Sequence, residues 1–224
     1  MASEEVVMTK DQARAAPYGY ACRRCRHCCY GMIIPVDPYE IARLARQLGE
    51  TTTAFRAART EGGAGTSLRH TETGACVFLG PQGCTVYADR PLACRIYPLA
   101  LQLDADGAER WSHHVPHPQS PGDYTATGTI ADYLAAHDVE RHLQAFGEYS
   151  AFVRLARDRL AADPDGDLPR QAGADSDIVD MDWAIAQHCA AHAEPEPSDI
   201  EARKRLHLKI LYDLLNDFAE PSHE

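Results

Sequence analysis

Cys22-Arg23-Arg24-Cys25-Arg26-His27-Cys28-Cys29 is the stretch that governs how the rest of the chain is read. Two residues between cysteines let a tight turn aim both sulfurs at one centre, with backbone amides placed to donate to the thiolates. Three cysteines at this spacing match the run that ligates iron–sulfur clusters, where a distant cysteine completes the four ligands. The doublet is different. Adjacent side chains of extended backbone point to opposite faces, so Cys28 and Cys29 are expected to serve different roles or different metals.

The distant cysteines follow downstream. Seven of the eight lie between Cys22 and Cys94, the second group being Cys76, Cys84 and Cys94, and Cys189 stands apart. Free buried cysteines are usually scattered, whereas cysteines clustered in a reducing compartment bind metal or do redox chemistry. That compartment is an expectation from two features. The first twenty residues, MASEEVVMTKDQARAAPYGY, carry acidic side chains and no signal-peptide core. No apolar run approaches the ~18 residues of a membrane-spanning helix. A cytoplasmic protein with no membrane partner is therefore expected. The net charge of −11 excludes a general nucleic-acid binder, which shows a basic excess. Arg23, Arg24, Arg26 and His27 are read as compensating the thiolate charge beside them.

Around the cysteines the element signals are mixed. GMIIPV, from Gly31 to Val36, reads as a short strand. Asp37-Pro38-Tyr39-Glu40 reads as a helix start, with Asp37 as cap, Pro38 in the first turn and Gly49 as terminator. A second short helix is expected over 53–59, then a glycine-rich loop at Gly62, Gly63 and Gly65. Gly80-Pro81-Gln82-Gly83 and Asp104-Ala105-Asp106-Gly107 each read as a hairpin turn between short strands. Beyond them the apolar spacing becomes helical. Val139, Leu143, Phe146, Tyr149, Val153, Ala156 and Leu160 trace one long amphipathic helix. A polar loop is expected over 163–175, followed by helices over 178–192 and 198–218, the last with a capping box at Ser198 and Glu201.

The fold expected is α+β and predominantly helical. A small cysteine-rich metal-binding module with short β-hairpins, residues 1–120, would be packed against a helical region, residues 121–224, as one domain. Metal should contribute strongly to folding, because so many ligands lie in loops. The run His113-His114-Val115-Pro116-His117 is read as a solvated loop, since its proline interrupts helical ligand spacing. Cys189 is read as a core residue. No phosphate loop, dinucleotide fingerprint or catalytic triad is legible, so no catalytic residue is assigned.

CRRCRHCC, followed by CVFLGPQGCTVYADRPLACRIYP, resembles the CxxCxxCC (YkgJ-like) family of zinc- or iron-chelating cysteine-cluster domains. The resemblance runs from Cys22 to Pro98. It implies Cys22, Cys25, Cys28, Cys29, Cys76, Cys84 and Cys94 as metal ligands. The cofactor expected is an iron–sulfur cluster, of the [4Fe-4S] kind, with zinc as the alternative, since four-thiolate zinc sites are also built from such pairs. Arg90, Arg95 and Tyr97 are read either as hydrogen-bonding partners of the ligating sulfurs or as ordinary packing residues.

Three functions remain open. The first is electron transfer, or support of a redox or modification enzyme. The second is a zinc-stabilised module that binds a protein partner. The third is a metalloenzyme, which needs a pocket beside the cysteines that contains a titratable group.

Overall fold

Asp37 sets the first long helix of the computed structural model, which describes residues 10–62, 66–113, 122–162 and 179–217. Its carboxylate accepts the Glu40 amide at 2.8 Å, the helix runs Pro38–Leu48 (α2), and Gly49 ends it in the left-handed region at φ 68°. A glycine is suited to that position because it has no Cβ to clash. Thr51 caps the next helix, Thr52–Arg59 (α3), in the same manner.

In chain order the elements are α1 (Lys10–Ala15), β1 (Pro17–Ala21), α2, α3, β2 (Thr60–Glu61), β3 (Ser67–Leu68), β4 (Leu79–Gly80), β5 (Gly83–Cys84), α4 (Leu92–Ile96), β6 (Leu99–Leu103), β7 (Glu109–His113), β8 (Asp123–Thr129), α5 (Ile130–Ala136), α6 (Glu140–Ala162), α7 (Met181–His192) and α8 (Ile200–Asp217). The fold is α+β and mostly helical, as expected, with sheets of only two strands. The chain divides into two units. One is Met1–Pro35 with Leu68–Gln144, and the other is Val36–Ser67 with Ala145–Glu224. Each unit is thus built from two separate segments.

The first unit contains both expected hairpins. β4 pairs with β5 across Pro81-Gln82, with Leu79 opposite Cys84. β6 pairs with β7 from Leu99↔His113 to Leu103↔Glu109. The Asp104 carboxylate holds that turn by accepting the amides of Asp106 and Ala108. A third pairing, β1 with β8, was not legible in the sequence. It buries Tyr18 and Tyr20, while Trp111, Leu99, Ile130 and Leu134 fill the core beside it. Burying each such side chain is worth about 1.5–3 kcal/mol. The unit therefore has more core of its own than its loops suggested.

The second unit is helical. Tyr39 and Ala42 of α2, Ala145 and Tyr149 of α6, Met181, Ile185 and Cys189 of α7, and Leu211 of α8 form its buried cluster. Cys189 is a core residue there, as read. Lys204 is buried against Glu148 at 2.8 Å and Glu201 at 3.4 Å, so its charge is paired.

Several readings need correction. Residues 31–36 form no named strand, although Ile34 and Val36 alternate inward. The cap of α8 is Asp199, which accepts the Ala202 amide at 2.9 Å, not Ser198. Val153 is 60% exposed, so the stripe on α6 is narrower than its spacing implied. Gly63, Gly65, His114, His117, the 163–175 loop, Ile178 and Phe218 lie outside the described residues.

Candidate metal centre

Strand β1 ends at Ala21 and delivers the chain into the cysteine loop at Cys22. The loop takes its shape from side-chain anchors rather than from a ladder. Arg23 grips Asp123 of β8 with Nε at 3.0 Å and Nη2 at 2.6 Å, a two-pronged pairing suited to a guanidinium. Arg24 and Arg26 both occupy left-handed backbone, at φ 52° and 71°. That conformation costs a residue with a Cβ about 1–2 kcal/mol, and each arginine has contacts that offset it. Arg24 lies over the Tyr87 ring at 4.8 Å, and Arg26 donates to the Pro81 carbonyl at 2.8 Å, in the β4–β5 turn. The basic residues of the run thus serve as anchors as well as local positive charge.

A single 3-10 turn, His27–Cys29, follows. Because this backbone is not extended, the opposite-face argument for the doublet does not hold, and Cys28 and Cys29 line the same cavity. The second cysteine group is tied to the first by main-chain bonds. The Cys76 amide donates to the Cys29 carbonyl at 2.7 Å, and the Gly31 amide to the Gly74 carbonyl at 3.0 Å.

The outcome is a cavity of about 100 Å³ in the first unit, lined by Cys22, Cys28, Cys29, Cys76, Cys84 and Cys94. It has room for several waters, more than one bare ion requires. Apolar side chains, including Met32, Ile34, Phe78 and Val86, form much of the remaining wall, and Tyr97, Tyr133 and His137 complete it. Cys25 is not among the lining residues. None of the eight cysteines is in a disulfide. Among the described residues, no three cysteine, histidine or carboxylate side chains are drawn together around a single point.

The thiols of the cavity are electrostatically linked to one another. Cys29 is pushed well above the ordinary thiol range by its bond to Cys28, by burial, and by the charges of Cys28, Cys94 and Cys76. Cys28 is lowered to about 7, chiefly because Cys29 donates to it, with the His27 charge contributing. Burial raises Cys76 and Cys84, and neighbouring thiols raise them further. Five sulfurs therefore feel one another, and a cation among them relieves that mutual repulsion.

Backbone amides supply the complementary donors. Cys22 Sγ accepts the Arg24 amide at 3.3 Å. Cys76 accepts from the Phe78 amide and Cys84 from the Val86 amide, and both bonds favour the thiolate. In all three cases the donor lies two residues beyond the cysteine. This is the arrangement by which a tight turn stabilises thiolates that ligate a metal.

The three residues left between two readings divide. Arg90 favours the Cys84 thiolate through its charge, while it stacks on Tyr87 at 4.1 Å and donates to the Tyr87 carbonyl at 2.9 Å. Arg95 is a brace. Buried in the first unit, it donates to the carbonyls of Arg90 at 2.8 Å, His137 at 3.0 Å and Ala88. Tyr97 is buried, and its carbonyl accepts the Tyr133 hydroxyl at 2.8 Å. His113 lies on β7 with its ring against Tyr18. Sequence reasoning did not single out Tyr133 or His137, because neither belongs to a motif and the helix that carries them was not anticipated.

The site is a cysteine-lined cavity, and a family match supports metal binding there. Residues 21–116 match the model of the CxxCxxCC family, described as a "putative zinc- or iron-chelating domain". That stretch takes in all seven clustered cysteines and bears out the resemblance seen in the motifs. No curated protein and no solved structure matches the chain.

Proposed function

We propose that the first unit holds an iron–sulfur cluster in its cysteine-lined cavity, and that the protein uses it to transfer electrons or to support a redox or modification enzyme. The observation that carries this reading is that six cysteines line one cavity, more thiols than the four a single tetrahedral zinc takes, whereas a cluster is held by cysteine thiolates together with its own inorganic sulfide. Cys22, Cys28, Cys29, Cys76, Cys84 and Cys94 are the residues that would hold it. The resemblance adds Cys25, which is not among the residues that line the cavity. When bound, the cluster supplies one-electron chemistry. The chain supplies amide donors to the sulfurs, the Arg90 charge, and an apolar wall that limits water. Its partner is a protein, consistent with the acidic net charge and the absence of a nucleic-acid motif.

The test is anaerobic purification of the full chain followed by absorption spectroscopy. A brown protein with broad sulfur-to-iron charge-transfer absorption is expected. A colourless preparation without iron would overturn the reading.

The second reading is a zinc-stabilised protein-interaction module. The amide donors two residues beyond Cys22, Cys76 and Cys84 favour it, because turns of this kind also support zinc thiolates. It predicts stoichiometric zinc, no sulfide and no redox activity.

A further inference from the structure

His137 follows α5 and forms part of the cavity wall that six cysteines share. Three contacts fix it there. Its Nδ1 lies 2.8 Å from the Tyr133 carbonyl oxygen, its ring lies against the Tyr133 ring with centroids 4.2 Å apart, and its own carbonyl accepts Arg95 Nη1 at 3.0 Å. The first contact determines the tautomer. A carbonyl oxygen only accepts, so Nδ1 must carry the proton, and in the neutral ring Nε2 keeps its lone pair. A ring nitrogen held by a backbone carbonyl, leaving the other nitrogen basic, is the way proteins orient a histidine toward a metal.

We propose that His137, through Nε2, is a nitrogen ligand of the metal group held in the cysteine-lined cavity. The proposal rests on the reading that metal occupies this cavity, and it assigns a mixed thiolate and imidazole donor set in place of thiolates alone.

The full chain is grown with ¹⁵N-histidine, purified anaerobically, and assayed for iron, zinc and sulfide. An iron-bearing protein is reduced and examined by pulsed electron paramagnetic resonance. In a zinc-bearing protein the zinc is first replaced by cobalt(II), and the same measurement is made. A ¹⁵N hyperfine coupling from a directly bonded nitrogen is expected, and it is lost in His137→Asn. Asparagine keeps an N–H near the position of Nδ1–H and has no counterpart of Nε2. A histidine that merely braces the fold therefore tolerates the change with its metal spectrum intact.

Should His137→Asn fail to fold, His137→Ala supplied with unlabelled imidazole takes its place. There the ¹⁵N coupling gives way to a ¹⁴N coupling. Bound metal without nitrogen coupling, or a coupling that survives His137→Asn, overturns the assignment and leaves the metal reading standing. A purified chain with no metal at all overturns both.

Discussion

The amide of Cys76 donates to the carbonyl oxygen of Cys29 at 2.7 Å. This one bond joins two cysteine-bearing segments that are far apart in sequence, and it brings thiols of both to the same cavity. The local pairing is short, with Tyr30 bridging Ala75 and His70 bridging Cys76. The segments on either side depend on anchors such as Arg23 to Asp123 and Arg26 to the Pro81 carbonyl. A site held this way is pre-shaped but not rigid.

Cys94 and Cys189 provide the first check. Cys94 lines the cavity, whereas Cys189 is 4% exposed in the core of the second unit. Cys94→Ser is expected to lose most of its bound metal. Cys189→Ser keeps its metal and loses about 1–3 kcal/mol of stability, because a hydroxyl replaces a buried thiol. Elemental analysis and urea unfolding measure both quantities. Equal metal loss from the two variants would contradict the division.

Arg95 braces the cavity wall. Its guanidinium joins the carbonyls of Ala88, Arg90 and His137. Arg95→Met leaves these acceptors without their donor and is expected to cost more than about 3 kcal/mol. Arg95→Lys should recover little, since an ammonium lacks the planar fork. Urea denaturation followed by tyrosine fluorescence reads the loss, and a variant within error of the native protein would refute the brace.

Asp132 links pH to the helix that carries Tyr133 and ends just before His137. Its carboxylate accepts the Thr129 hydroxyl at 2.8 Å and amide at 2.9 Å, and these bonds lower its pKa, the hydroxyl foremost. A carboxyl whose folded pKa is depressed contributes stability above its unfolded value, near ~3.9. That contribution is lost as pH falls through the lower folded value. Carboxyl titration by nuclear magnetic resonance should place the Asp132 midpoint below the ordinary range. Asp132→Asn should remove this part of the acid dependence. A midpoint at or above the ordinary range would contradict the capping role.

Metal removal should act locally. The loops around Cys22–Gly31 and Gly74–Cys94 carry short elements and many donors, while the cluster of Tyr39, Tyr149, Ile185 and Leu211 belongs to the second unit. Chelation under reducing conditions is expected to speed amide hydrogen exchange in those loops. Exchange in the second unit's core should be left slow. Uniform acceleration across both units would argue that metal stabilises the whole chain at once.

The clustering of seven cysteines and the family resemblance nominated all six thiols that line the cavity, because the cysteine run and the hairpin turn leave local signatures. The Asp37 cap and the two hairpin turns were legible for the same reason. The pairing of β1 with β8 was not. Tyr18 and Tyr20 alternate as a strand should, but the segment is five residues long with Gly19 inside it, and its partner lies more than a hundred residues away. The capping box at Thr129 and Asp132 was present to be read, but without a long apolar stripe behind it the helix α5 went unseen. His137 had no motif. Its place depends on the end of α5, on the Tyr133 carbonyl four residues before it, and on Arg95, which is a tertiary contact. The contrast between Cys25 and Cys94 makes the same point, since the resemblance nominated both and only Cys94 lines the cavity.

Iron, zinc and acid-labile sulfide measured per chain after anaerobic purification test the central claim most directly. Iron with a matching amount of sulfide is the result predicted for a cluster in the cysteine-lined cavity. Zinc without sulfide would contradict the iron–sulfur reading, and a folded chain that binds neither metal would contradict the account as a whole.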